Sequence, residues 1–111
     1  MKLIIGNMSI KLRDFLKKYQ FEDRILVINK MCNVKTIKGS VDVIIPFGNI
    51  ETSGLITNTQ VHLAELLMSL DVKIIKYGNI KAKEKIEKIA EMYDIPTVYL
   101  DLSNHDRRVK L

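Results

Sequence analysis

Apolar residues fall along the chain in short continuous runs that alternate with longer stretches of helical period. Runs without polar alternation are typical of strands in a sheet that is covered on both faces. Five such runs, rich in β-branched residues, predict strands at Lys2–Ile5, Arg24–Asn29, Val41–Pro46, Val72–Tyr77 and Ile95–Asp101. The pattern therefore predicts a buried, mainly parallel five-stranded sheet.

Three stretches have the period of a helix. The first begins after Ser9, which is a favourable N-cap residue, and runs to about Tyr19. The last spans Ile80–Asp94 and carries one apolar stripe. The middle one, Thr59–Leu70, is apolar on more than one face, which indicates burial either by the fold or by a second subunit.

The segment Lys30–Ser40 has no evident helix. Its β-branched residues Val34, Thr36 and Ile37 allow a short strand or edge segment, and Gly39-Ser40 signals a turn. The order β-α-β-β-α-β-α-β predicts an α/β fold, a small three-layer Rossmann-like domain with a mainly parallel five-stranded sheet and three helices. At 111 residues the chain is expected to form a single domain, 1–111.

Composition narrows the classes of function. The chain has no signal-peptide pattern and no apolar run of about 18 residues, so no membrane partner is expected. The single cysteine, Cys32, cannot form an internal disulfide and fits a reducing cytoplasm. The sequence has no Cys/His cluster with the spacing of metal ligands, so no metal site is expected. Aromatic residues make up 6% of the chain, so long nucleic acid is not expected either. The net charge of +5 favours an anionic partner, or reflects a lysine- and isoleucine-rich composition.

The loop after the first strand is the first candidate site. Gly6, Asn7 and Ser9 lie where a nucleotide-binding sheet would meet a phosphate, next to a helix N-terminus. Neither the GxGxxG pattern nor a P-loop is present, so a dinucleotide or ATPase site is not predicted, and no cofactor is expected. The alternative interpretation is a plain turn with a helix cap.

Two further segments follow strand ends. The loop Phe47–Asn58 is long for a strand–helix connection and rich in small polar residues. Its candidate ligand-binding residues are Gly48, Asn49, Thr52, Ser53, Gly54, Thr57 and Asn58. Glu51 in the same loop could serve as a nucleophile or general base, although a solvated surface residue is the alternative.

The C-terminal segment holds the densest polar cluster. Arg107 and Arg108 can pair bidentately with phosphate, and His105 could move protons near neutral pH. A frayed basic terminus is the alternative. His62 and Glu65 lie three residues apart and could pair, but no third metal ligand accompanies them.

The stretch LIIGNMSIKL, together with the β/α order, resembles the small CRISPR-associated Rossmann-fold (CARF-like) proteins. Members of that family bind cyclic oligoadenylates, and some are ring nucleases that cleave them. The resemblance implies that Gly6, Asn7 and Ser9 contact ligand phosphate and that the Gly48–Asn58 loop contacts the ring. It also implies a cyclic ligand bound across a homodimer in antiviral defence, with Thr59–Leu70 as the interface. It transfers no catalytic residue.

A second resemblance is to nucleoside deoxyribosyltransferase-like enzymes and related nucleotide hydrolases. It rests on the apolar strand, loop and glutamate-bearing apolar helix of Val41–Glu65, and it implies attack on a sugar by Glu51 or Glu65. A third alternative is a non-catalytic oligomerisation or regulatory module, which requires only the apolar helix and a surface.

Overall fold

The protein is an α/β domain built on a five-stranded sheet in which every strand pairing is parallel. The computed structural model describes residues 1–19, 21–48, 61–80 and 83–101. The strand order is β2-β1-β3-β4-β5. The strands are β1 (Lys2–Ile5), β2 (Ile25–Ile28), β3 (Ser40–Gly48), β4 (Asp71–Ile80) and β5 (Thr97–Tyr99). The predicted fold class is confirmed, with a sheet that is parallel throughout these pairings.

Helices cover both faces of the sheet. They are α1 (Ile10–Lys18), α2 (Leu63–Ser69) and α3 (Lys83–Met92). On one face, α1 packs Leu12 and Phe15 against Ile4 of β1 and Ile44 of β3. On the other face, α2 and α3 share a larger core with the alternate side chains of the strands, among them Leu3, Ile5, Val43, Ile45 and Ile75. This alternation explains why the strands read as continuous apolar runs.

The segment between β2 and β3 forms a 3-10 helix at Met31–Val34, so the short strand considered for Val34–Ile37 is wrong. Val34 is buried in the core of the α2 and α3 face, where it is part of the helical turn. Burial rather than pairing thus explains Val34 and, in part, Ile37, which packs against the same core, whereas Thr36 is exposed. Gly39 follows with φ of 86°, a conformation that a glycine adopts at little cost.

Several predicted boundaries move in the structure, among them those of β5, which is shorter than predicted, and of the last helix, whose predicted first residue Ile80 ends β4. Strand β3 continues through Phe47 and Gly48, which pair with β4, so these residues belong to a strand and not to the loop. Gly78 and Asn79 lie within β4 rather than in a closing turn. The middle helix begins at Leu63, because His62 is its N-cap.

Helix α2 is buried by its own chain. Leu63, Leu66 and Leu67 all lie in the core of the α2 and α3 face, and Leu67 is 6% exposed. Only Met68 on this helix is a large exposed apolar side chain. The fold itself thus accounts for the two-sided apolar pattern, and the pattern no longer requires a second subunit.

In the described part of the chain, no helix has the length and apolar character needed to cross a membrane.

Candidate functional site

The strand order creates a crevice between β1 and β3. The chain moves outward from β1 to β2, then returns past β1 to β3 and continues outward in the other direction. In open α/β sheets, ligands bind at such a reversal, outside the carboxyl ends of the strands. The loops that leave β1 and β3 therefore begin side by side at the position where this class of fold places a ligand.

Pro46 limits the pairing at this point. β1 pairs with β3 up to Ile4 and Ile44, whereas β3 pairs with β4 as far as Gly48. The backbone N–H of Asp42 donates to the carbonyl of Met1, and so points from β3 toward β1. Because every second residue of a strand directs its backbone groups to the same neighbour, those of Ile44 and of position 46 also point toward β1. A proline at position 46 has no N–H to continue that ladder. The last pairing between the two strands is accordingly that of Ile4 with Ile44.

The start of α1 forms one wall of this crevice. The Ser9 Oγ accepts a hydrogen bond from the backbone N–H of Leu12 at 3.2 Å, which confirms Ser9 as the N-cap. The first-turn N–H groups and the positive end of the helix dipole therefore lie at the carboxyl edge of the sheet. Gly6 has room for a Cβ, since its nearest neighbour would be Leu12 Cδ2 at 3.5 Å, so sterics alone do not require glycine there.

Two contacts tie the loops of neighbouring elements together. Asn29, just after β2, donates from Nδ2 to Oδ1 of Asn7 at 3.2 Å, which joins the β1 and β2 loops. The ammonium of Lys11, in the first turn of α1, lies 5.3 Å from the ring centroid of Phe47 in β3. Phe47 also meets the Phe15 ring edge-on at 6.1 Å. A cation and two amides thereby border the crevice.

The charged side chains in the described segments next to the crevice are positive, and Glu51, which follows β3 in sequence, lies outside the described residues. Segments 6–11, 29–31 and 46–48, which follow or end the first three strands, contain Lys11 and Lys30 but no carboxylate. Two carboxylates lie at the amino edge, where Asp23 pairs with the N-terminal ammonium of Met1 and Asp71 accepts from Ser40, whereas Asp101 follows β5 at the carboxyl edge. The N-terminal charge and the Arg24 N–H hold the pKa of Asp23 below its usual value.

Several predicted site residues lie outside the described residues. These are Asn49, Glu51, Thr52, Ser53, Gly54, Thr57, Asn58, His105, Arg107 and Arg108. Of the remaining predicted residues, Gly6, Asn7 and Ser9 lie at the crevice, and the backbone of Gly48 ends β3 beside it. The segment after β5 starts two strands away from β3, about 10 Å at the usual strand spacing.

The two helix residues considered for chemistry are not joined to this crevice by any described contact. Glu65 is exposed on α2, and its backbone carbonyl accepts from the Ser69 hydroxyl at 2.8 Å. His62 precedes α2, and its buried Nδ1 has no hydrogen-bond partner among the described residues. Within the described ranges, no group of three His, Cys, Asp or Glu residues could hold a metal ion.

Sequence reasoning missed Lys11 and Asn29 as site residues. The helical period places Lys11 on the polar face of α1, and only its position in the first turn distinguishes it from the other lysines of this helix. Asn29 is the first polar residue after β2, so the carboxyl-edge rule applied to all strands would have found it.

No protein-family model matches this chain, and no curated protein or solved structure matches it. The crevice between β1 and β3 is accordingly assigned from its geometry alone.

Proposed function

We propose that this protein binds a nucleotide-type anion in the crevice between β1 and β3. The observation that carries the proposal is the reversal of strand order at that position, with the N-terminus of α1 beside it. A phosphate there would meet first-turn N–H groups and the Lys11 ammonium, and segments 6–11, 29–31 and 46–48 contain no carboxylate to repel it.

The surroundings also suit the other part of a nucleotide. Met8 and Ile10 are exposed apolar side chains on either side of the Ser9 cap. Ligand sites typically combine apolar surface with a few well-placed polar groups. In a nucleotide, the base would contact the apolar surface and the phosphate would contact the polar groups. A cyclic oligoadenylate remains the most specific candidate ligand, on the resemblance of the β1 loop and the β/α order. Because α2 is buried in its own chain, we propose a site within one chain rather than one shared across α2.

A calorimetric titration of the full chain tests the proposal, with AMP, ATP and cyclic oligoadenylates as probes. We expect at least one of them to bind, and we expect binding to weaken with added salt, because counterions screen the phosphate contacts. Chromatography of the recovered ligand then separates the two outcomes: linear products indicate a ring nuclease, and unchanged ligand indicates sequestration. If none of the probes binds at submillimolar concentration, the proposal is wrong.

Lys11→Gln and Lys17→Gln form a matched pair for locating the site. Both lysines are exposed on α1 and both changes remove one charge, but only Lys11 lies at the crevice. We expect Lys11→Gln to weaken binding about tenfold, since loss of one charge-assisted contact costs about 1.4 kcal/mol, and Lys17→Gln to have little effect. Equal losses in the two variants would show that the ligand responds only to net charge.

A further inference from the structure

Half of the large exposed apolar side chains in the described residues lie close together in sequence at one edge of the sheet. They are Met92 and Tyr93 at the end of α3, and Val98 and Tyr99 in β5. Val98 is 43% exposed and Tyr99 49% exposed, and as consecutive strand residues they lie on opposite faces of the sheet. Strand β5 is thus apolar and open on both of its faces.

Among the described residues, the backbone of β5 has no hydrogen-bonding partner on its outer side. Pro96 accepts from Ile75 and Leu100 donates to Tyr77, so residues 96, 98 and 100 direct their groups toward β4. The N–H and C=O groups of Thr97 and Tyr99 therefore point away from the sheet. In the described part of the chain, no strand lies beyond β5.

We propose that this edge pairs with β5 of a second copy of the chain, in an antiparallel arrangement about a two-fold axis at Val98. In that register, Thr97 of each copy faces Tyr99 of the other, and each such pair exchanges two hydrogen bonds. The two Val98 side chains meet at the axis, as a non-hydrogen-bonded pair of β-branched residues. The occupant we propose is a second copy, whose β5 has the same length, so that a two-fold pairing satisfies all four outward groups on each strand.

Charge complementarity supports the same arrangement. Helix α3 packs on β4, and its first residue reaches β5, where the Lys83 ammonium lies 4.7 Å from the Tyr99 ring centroid. The first turn carries Lys83, Glu84 and Lys85, so this end of the helix has a net positive charge. At the other end of α3, the exposed carboxylates of Glu91 and Asp94 precede β5. Antiparallel pairing of β5 makes the two α3 helices antiparallel as well. The basic end of each helix then lies toward the acidic end of the other.

This dimer is independent of the proposed ligand site. Antiparallel pairing points the carboxyl edges of the two sheets in opposite directions, so the two crevices lie apart and each chain binds its own ligand. Loss of dimerisation and loss of ligand binding are consequently separate results.

Sedimentation velocity at micromolar to millimolar chain concentration tests the interface. We expect the wild type to dimerise reversibly and Val98→Lys to weaken the dimer by about tenfold or more, since it places like charges opposite each other at the axis. Ile25→Lys is the matched control, because Ile25 is 42% exposed on the opposite edge strand. A monomeric wild type, or equal behaviour of the two variants, overturns the proposal.

A cross-link tests the register. Residues in a non-hydrogen-bonded antiparallel pair have Cα atoms about 4.5 Å apart, within the range of about 4.4–6.8 Å that a disulfide bridges. We therefore expect Val98→Cys, made together with Cys32→Ser, to form a disulfide-linked dimer under mild oxidation. Ile25→Cys in the same background should stay monomeric on a non-reducing gel. A cross-link formed by Ile25→Cys, or none by Val98→Cys, contradicts this register.

Discussion

The hydrogen bond between Tyr77 and Glu87 anchors α3 to the sheet, and Tyr77→Phe measures its contribution to stability. The Tyr77 hydroxyl donates to Glu87 Oε1 at 2.5 Å, and the tyrosine is 6% exposed. Phenylalanine keeps the ring, which meets the Tyr99 ring at 5.7 Å and 60°, so the packing survives. The change therefore removes one hydrogen bond and little else.

Hydrogen bonds to charged groups contribute about 1.5–3 kcal/mol. Because Glu87 is exposed, water can rehydrate its carboxylate in the variant, which places the cost at the lower limit, about 1.5 kcal/mol. For a domain of this size, that loss lowers the melting temperature by about 6 °C. Urea denaturation followed by circular dichroism at pH 7 measures the free energy of unfolding directly.

The same bond predicts a pH dependence. The hydrogen bond to Glu87, with burial and the nearby carboxylate, raises the pKa of Tyr77 to about 12. A tyrosine in the unfolded chain ionises near pH 10, so below that pH the hydrogen bond makes its full contribution to the free energy of unfolding. This contribution falls as the pH rises from about 10 through about 12. We therefore expect the difference between wild type and Tyr77→Phe to shrink over that interval.

Tyr93→Phe is the control, because Tyr93 is an exposed tyrosine at the end of the same helix. It should change the free energy of unfolding by less than about 0.5 kcal/mol. The reasoning fails if Tyr77→Phe is as stable as this control at pH 7. It also fails if the loss of stability is the same at pH 9 as above pH 11.

Two further changes test the caps of the helices. Asp94 follows α3 with φ of 55°, and the N–H groups of Asp94 and Ile95 donate to Glu91 and Ala90, the pattern of a Schellman cap. Since glycine adopts this conformation without strain, Asp94→Gly should raise the free energy of unfolding by up to about 1 kcal/mol in urea denaturation; a loss of stability would contradict the backbone argument. Ser9→Ala removes the side-chain oxygen that accepts from the Leu12 N–H, and it should lower the free energy of unfolding by about 1 kcal/mol in the same assay. No loss of stability there would show that solvent replaces the cap.

The apolar pattern alone predicted the elements and their layers, because side-chain alternation and helical period are local properties. Strand β1 was predicted at its observed bounds, and the Ser9 cap followed from residue type and position. The pattern could not tell the 3-10 turn at Met31–Val34 from a short strand, since both bury a β-branched residue. Likewise, the apolar faces of α2 were visible in sequence, but whether its own sheet or a second subunit buried them was not.

Only the tertiary structure decided which loops lie together. Strand order results from pairings between residues about 40 positions apart, such as Lys2 with Asp42, and no local pattern encodes them. That order brings the loop after β1 beside the end of β3, places Lys11 near the Phe47 ring, and makes β5 an edge strand among the described residues. The residue types of each loop can be read from the sequence. Which other loops lie next to it depends on how the whole sheet packs to bury its apolar surface.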